Sequence, residues 1–189
     1  MQRIWNRIEH WLTEHAPSLL EQLRPGATDE DTQQIAPAMG TNPPEDFLAS
    51  LRIHNGAPTL SIDGWQFCAI EGMLGTRQWM NELFPDDEDW WPRSWLPFAY
   101  NGSADLLCVN LCPSSETRRG LREGIVLFRH YYDPAEWLAP SFQSFFSAFA
   151  DHLEAGKYQV KLLNDTLYLE SDALLLYQPV AGYDGFQDL

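Results

Sequence analysis

Two carboxylates and one histidine are the residues that type and spacing best equip for chemistry. His130 stands three residues before Asp133, behind an apolar run, and an imidazole beside a carboxylate can act as a general acid–base pair. No nucleophile accompanies them, so packing at a strand end is the stronger reading. Asp105 follows Asn101-Gly102-Ser103-Ala104 and precedes another apolar run. An acid there accepts backbone hydrogen bonds and shapes the turn, which is the role expected for it. His10 and His15, five residues apart, fall off a common helix face, and His54, His130 and His152 are scattered, so no metal-ligand spacing is present. Cys68, Cys108 and Cys112 form no CxxC; Cys108 and Cys112 would share one face of an extended strand, and all three are expected to be buried, reduced thiols. The chain has no GxSxG elbow, Walker loop, strand-borne GxGxxG or HExxH helix. No catalytic residue, metal ligand or cofactor site is therefore assigned.

A constellation of another kind lies between Pro85 and Pro97. Asp86, Asp87, Glu88 and Asp89 run directly into Trp90 and Trp91, with Trp95 close behind. Aromatic anchors inside a charged rim have the makeup of a protein-binding hot spot. The competing reading folds the tryptophans back onto the core and leaves the acids as a solvated loop. The net charge of -15 and pI near 4.5 bear on the choice of ligand. Such a surface repels phosphate backbones and anionic lipid, and so points away from nucleic acid and membrane and toward a basic protein.

The elements that must hold these residues follow from periodicity. Ile4, Ile8, Trp11, Leu12 and His15 recur at helical spacing over roughly four turns, and Pro17 ends or redirects that helix. After the Pro25-Gly26 turn, Thr28-Asp29-Glu30-Asp31 makes a near capping box for a helix predicted to reach Met39-Gly40. Pro43-Pro44-Glu45-Asp46 opens a third helix with Phe47, Leu48 and Leu51 on one side, closed by Asn55-Gly56 as a left-handed cap. Leu60 to Phe67 reads as a hairpin about Asp63-Gly64, and Ile70 to Phe84 as a helix. The acidic stretch is expected to be an exposed loop carrying aromatics. Leu96–Tyr100, Leu106–Leu111 and Ile125–Tyr131 are near-continuous apolar runs, as in central strands. Ser141 caps a helix whose Phe142, Phe145, Phe146, Phe149 and Leu153 form one stripe ending at Gly156. Tyr158 to Glu170 reads as a terminal hairpin about Asn164-Asp165, with an unassigned tail beyond Asp172.

With 189 residues, 44% hydrophobic and 13% aromatic, the chain has enough apolar surface for one full core. Its first residues lack the continuous apolar run of a secretory signal, and no window approaches a membrane span. A cytoplasmic protein is expected, with a domain over residues 1–156 and a C-terminal extension over 157–189.

Several of these segments, taken in order, resemble the Smi1/Knr4 family, or SUKH superfamily. They are the Trp11-Leu12 helix; Leu23-Arg24-Pro25-Gly26-Ala27-Thr28; Pro44-Glu45-Asp46-Phe47 followed by His54-Asn55-Gly56; Trp95-Leu96-Pro97-Phe98-Ala99 through Asn101-Gly102-Ser103-Ala104-Asp105; and Ser141-Phe142-Gln143-Ser144-Phe145. The similarity spans about residues 1–156. The family usually has Gly where this chain has Ala104, Leu where it has Asn42, and Asp where it has Asn110. The resemblance implies an α+β fold, a central mostly antiparallel sheet flanked by N-terminal helices and a C-terminal helix, with Pro44, Phe47, Asn55, Gly56, Asp105, Ser141, Phe142 and Phe145 in structural roles. It further implies no enzymatic activity, and one of two functions. The first is a bacterial immunity protein that binds a polymorphic toxin domain; the second is a regulator of cell-wall synthesis and signalling.

Overall fold

The computed structural model of the chain describes residues 1–111, 123–130 and 132–180. Its centre is set by three strands that are apolar on both faces: β3 (Trp95–Asn101), β4 (Leu106–Asn110) and β5 (Gly124–Arg129). Leu96, Phe98, Leu107, Val109, Ile125 and Leu127 enter one core, while Trp95, Leu106, Cys108, Val126 and Phe128 enter a second. Side chains alternate across a strand, so an unbroken apolar run requires cover on both faces of the sheet.

These strands belong to an eight-stranded sheet completed by β1 (Ala57–Ile62), β2 (Trp65–Phe67), β6 (Tyr132–Ala139), β7 (Tyr158–Leu163) and β8 (Thr166–Ser171). The order is β6-β5-β4-β3-β2-β1-β8-β7, antiparallel throughout except where β8 runs parallel to β1. The α+β fold with a mostly antiparallel sheet is thus the one expected. The larger core lies under α1 (Gln2–His15), α5 (Glu45–Leu51) and α7 (Phe142–Glu154), and the phenylalanine stripe of α7 is buried along its length. The smaller core is closed by Met80 of α6 (Ile70–Leu83) and by Trp91.

Several local expectations hold. Thr28 and Asp31 form a reciprocal capping box, and the Ser141 Oγ accepts from the Ser144 N–H at 3.0 Å. Asp63 and Gly64 both have positive φ, as do Asn164 and Asp165, so each pair forms the two-residue turn that matches strand twist.

Others are corrected. The helix predicted from Thr28 to Met39-Gly40 is two short helices, α3 (Asp29–Gln33) and α4 (Ile35–Met39). Pro37 explains the break: it has no N–H to continue a ladder but is tolerated in the first turn of a new helix. Pro17, by contrast, redirects the chain as expected, opening a four-residue helix, α2 (Pro17–Leu20), just past the end of α1. Helix α5 ends at Leu51 with Arg52 in right-handed geometry, so Asn55-Gly56 does not cap it. Instead the Asn55 Oδ1 accepts from the Ile70 N–H, capping α6 from fifteen residues away. Gly56 takes φ +77° where an added Cβ would meet the Cys68 carbonyl at 2.4 Å. Strand β6 had no counterpart in the sequence reading, because Pro134 and the acids Asp133 and Glu136 interrupt its apolar pattern; proline is admissible there since β6 is an edge.

The C-terminal hairpin extends the sheet through the β1–β8 pairing, and Asp63 fastens it. This carboxylate is 3% exposed and accepts from the Tyr158 hydroxyl (2.9 Å), the Ser171 N–H (2.7 Å) and hydroxyl, and the Leu176 N–H (3.3 Å). Burial beside that carboxylate pushes the Tyr158 phenol well above its ordinary value.

Candidate protein-binding site

The acidic loop is built against the second half of α6. The last carbonyls of a helix lack partners, and here one arginine supplies them: Arg93 donates to the Phe84 carbonyl at 3.0 Å and to that of Pro85. The same guanidinium donates to the Asn81 Oδ1 at 2.7 Å, and that oxygen also accepts from the Trp91 indole at 3.0 Å. At the loop's start the Asp87 Oδ1 accepts from the Trp90 N–H and the Asp87 carbonyl from the Trp91 N–H, both at 2.9 Å. The loop is a braced platform.

The tryptophans correct the expectation of an aromatic loop standing in solvent. Trp91 and Trp95 are 0% exposed; their rings meet edge to face at 5.7 Å, and each contacts Phe128. Trp95 is the first residue of β3 and not part of the loop. Trp90 is half-buried against Phe84 and Phe128. A loop that covers the second core must give up its aromatics to it, and the need for that cover is a long-range fact about the sheet. Asp86, Asp87, Glu88 and Asp89 are exposed as expected.

Exposed apolar residues also stand in α6, which leads into these acids. Trp79 is 52% and Leu83 46% exposed, one helical turn apart, with Glu82 exposed between them. The sequence reading of Ile70 to Phe84 as a helix did not single out either residue as exposed. The signal was present: buried Met73 and Met80 are two turns apart on one line, and Trp79 lies about 100° off it. Trp79, Glu82 and Leu83 are thus exposed on the last two turns of α6, and Asp86 to Asp89 on the loop that follows it.

Asp105 is occupied by structure. Asp105 Oδ1 accepts from the His130 N–H and Oδ2 from the Asn101 side chain, each at 3.0 Å, while Asn101 Oδ1 accepts from the Ser103 and Asp105 N–H groups. Asp105 thus ties the β3–β4 turn to the end of β5. Asn101 also donates to the Tyr177 hydroxyl at 3.0 Å, drawing the C-terminal segment onto the same turn. The Asp133 side chain, proposed with His130, lies outside the described residues, as does Cys112. Burial pushes Cys68 up to about 12 and Cys108 well above the ordinary thiol range, so neither is an available thiolate nucleophile. His54 bridges Glu9 (2.7 Å) and the Arg24 carbonyl (3.0 Å) and packs on Trp5. Among the described residues no three His, Cys, Asp or Glu side chains converge as a metal site, and no helix is long and apolar enough to cross a membrane.

The remaining motif residues join distant elements. Pro44 precedes α5, Phe47 and Phe142 meet edge to face at 5.0 Å, and Phe145 packs on Phe98. Asp46 does more than its place in the first turn of α5 suggested: its Oδ2 accepts from the Gln143 N–H at 2.8 Å and so caps α7. Two helices are locked together by one acid.

Residues 26–148 match the model of the SMI1 / KNR4 family (SUKH-1). The chain is 21% identical to Cell wall assembly regulator SMI1 of Saccharomyces cerevisiae, over 97% of its own length and 46% of that protein's. It is 26% identical to F-box only protein 3 of Homo sapiens over 46% of this chain and 17% of that one, and 35% identical to the Glucan synthesis regulatory protein of Neurospora crassa over 28% and 10%. The chain therefore spans less than half the length of each of these relatives. With a family match over the segment from the Pro25-Gly26 turn into α7, and with the motif residues joining the same elements, the chain belongs to the SMI1 / KNR4 family (SUKH-1).

Proposed function

We propose that this protein is a non-enzymatic immunity protein that acts in the cytoplasm by binding and neutralising a cognate bacterial polymorphic toxin. The surface formed by Trp79, Leu83 and Trp90, bordered by Glu82 and Asp86 to Asp89, covers a basic region of the toxin, such as a nuclease cleft. The observation that carries this reading is the succession, from the last turns of α6 into the braced loop, of exposed Trp79 and Leu83 and five exposed carboxylates. A charged rim speeds encounter and excludes wrong partners, and an aromatic centre supplies the affinity that the rim alone does not. A net charge of -15 steers any cationic partner toward the chain over a longer range.

The test is capture from the native host of proteins encoded beside this gene, followed by titration of the captured partner. The expected result is a basic toxin domain whose toxicity the chain abolishes, with binding lost when Asp86, Asp87 and Glu88 are changed to Lys and Trp79 to Ala. Neutralisation by that variant at wild-type strength would refute the site.

A second reading is favoured by the names of two relatives, a cell wall assembly regulator and a glucan synthesis regulatory protein. On that reading the chain is a regulatory scaffold and the same surface holds a signalling or cell-wall protein. Capture of such a protein, in a host lacking an adjacent toxin gene, would select it.

A further inference from the structure

The sheet has two open edges, and they are treated differently. β6 is blunted: its register against β5 is interrupted twice, its sequence contains Pro134, and the Leu138 carbonyl accepts from the Val180 N–H at 2.8 Å. β7 has none of these devices. Its register with β8 is continuous from Tyr158↔Ser171 to Leu163↔Thr166, and Leu162 and Leu163 are 64% and 62% exposed. A regular, apolar edge that no described residue covers is a template for another strand.

We infer that β7 is a self-association edge, pairing antiparallel with β7 of a second copy about a two-fold axis through Val160. The backbone dictates the register. In a hairpin with a two-residue turn the closing pair exchanges both hydrogen bonds, so Leu163, Lys161 and Gln159 direct their backbone groups at β8. Those of Tyr158, Val160 and Leu162 point outward. Outward residues bond only with outward residues, and the register that uses all three sets Val160 opposite Val160 and Tyr158 opposite Leu162 of the second copy. Tyr158 and Val160 already pack on the larger core, so Leu162 extends their stripe onto the second copy's Tyr158. On the opposite face Lys161 meets Gln159, and no two like charges stand directly opposite.

Charge also selects this edge for contact between copies. Two chains of net charge -15 repel, and association requires a surface where that repulsion is least. Lys157 and Lys161 are the only lysines in the sequence, and no carboxylate occurs between Glu154 and Asp165. Lys161 does not guard the edge, because it is half-buried beside its cross-strand neighbour Tyr168. One six-residue pairing buries less than a standard interface, so the dimer is weak and forms in the micromolar range or above.

Sedimentation velocity on the full chain, from low-micromolar to near-millimolar concentration, tests this. A dimer should grow with concentration. Val160→Pro should weaken association about tenfold or more, since the axis makes one substitution remove both central hydrogen bonds. The β7–β8 ladder should hold in hydrogen exchange, because the Val160 N–H does not serve β8, and any fall in melting temperature reports only the lost packing of Val160 on the core. Register is read independently in a Cys112→Ser background: Gln159→Cys mixed with Lys161→Cys should give an interchain disulfide on oxidation, and neither alone should. A chain that stays monomeric throughout, a Val160→Pro chain that dimerises as wild type, or equal cross-linking by Lys161→Cys alone overturns the inference.

Discussion

Carboxylates serve this molecule in two opposite ways, and the contrast separates its structure from its proposed function. At one end of the sheet, Asp63, with Asp105 nearby in the β3–β4 turn, has its oxygens taken up by N–H and O–H donors from several elements. At the end of α6, Asp86 to Asp89 stand in solvent on a loop braced from below by Arg93 and Asn81. The first set is part of the fold, since a buried acid survives only if donors converge on it. The second set is exposed, and what Asp87 accepts there comes from the loop's own Trp90 N–H. The tryptophans divide in the same way: Trp91 and Trp95 close the second core, and Trp79 remains outside.

The largest effect that would break this division concerns Trp91. If it belongs to the core, Trp91→Ala should cost roughly 3–5 kcal/mol in urea denaturation. Trp79→Ala should leave the midpoint almost unchanged. Equal costs would mean that the loop is one unit and that burial does not sort its aromatics.

Next in size is the Asp63 fastening. Asp63→Asn keeps a residue suited to positive φ but removes the charge and one acceptor oxygen, and should cost about 2–3 kcal/mol. Hydrogen exchange should report the loss first in β7 and β8. The Tyr158 hydroxyl adds a pH signature. Its folded pKa is raised, so the protein's stability from this group is complete below the unfolded value near 10 and falls as pH rises above it. Tyr158→Phe should flatten that alkaline decline. An unchanged decline would mean that other groups govern it.

A smaller effect of opposite sign follows from the turn that Asp105 shapes. Ala104 takes φ +62°, a left-handed conformation that strains any side chain with a Cβ. Ala104→Gly, the residue usual in the resembled family, should stabilise by roughly 0.5–1 kcal/mol after the extra chain entropy of glycine is subtracted. Destabilisation would show that the Ala104 methyl makes a contact of value.

What was legible in the sequence was local. The Thr28 and Ser141 caps, the Asp63-Gly64 and Asn164-Asp165 turns, and the α7 stripe all express interactions within a few residues, and each was found where its pattern lies. Asn55 and Asp46 were placed in the right segments but with the wrong reach, since both cap helices distant in sequence. The fate of Trp91 and Trp95 depended on whether the sheet has one covered face or two. The double-faced apolar runs of β3 to β5 already required two. Applied to the next segment, that requirement would have turned these tryptophans inward and left Trp79 and Leu83 as the exposed pair.

The exposed acids supply the finest test of the contrast. Asp86→Asn with Asp87→Ala would remove two of the chain's charges, but Asp87 also holds the Trp90 N–H through its Oδ1. Asn at 87 keeps that acceptor, so the informative variant is Asp86→Asn, Asp87→Asn, Glu88→Gln and Asp89→Asn together. Because these carboxylates are exposed and the loop's bracing runs through Arg93, Asn81 and backbone carbonyls, the melting temperature should not move. Association with a basic partner should slow, with the difference from wild type shrinking as salt is raised past the point where the Debye length falls below roughly 8 Å. The dissociation rate should change less if, as proposed, apolar contacts at Trp79 and Leu83 hold the complex. A fall in stability without a change in association rate would place these acids with Asp63 among the residues that hold the fold.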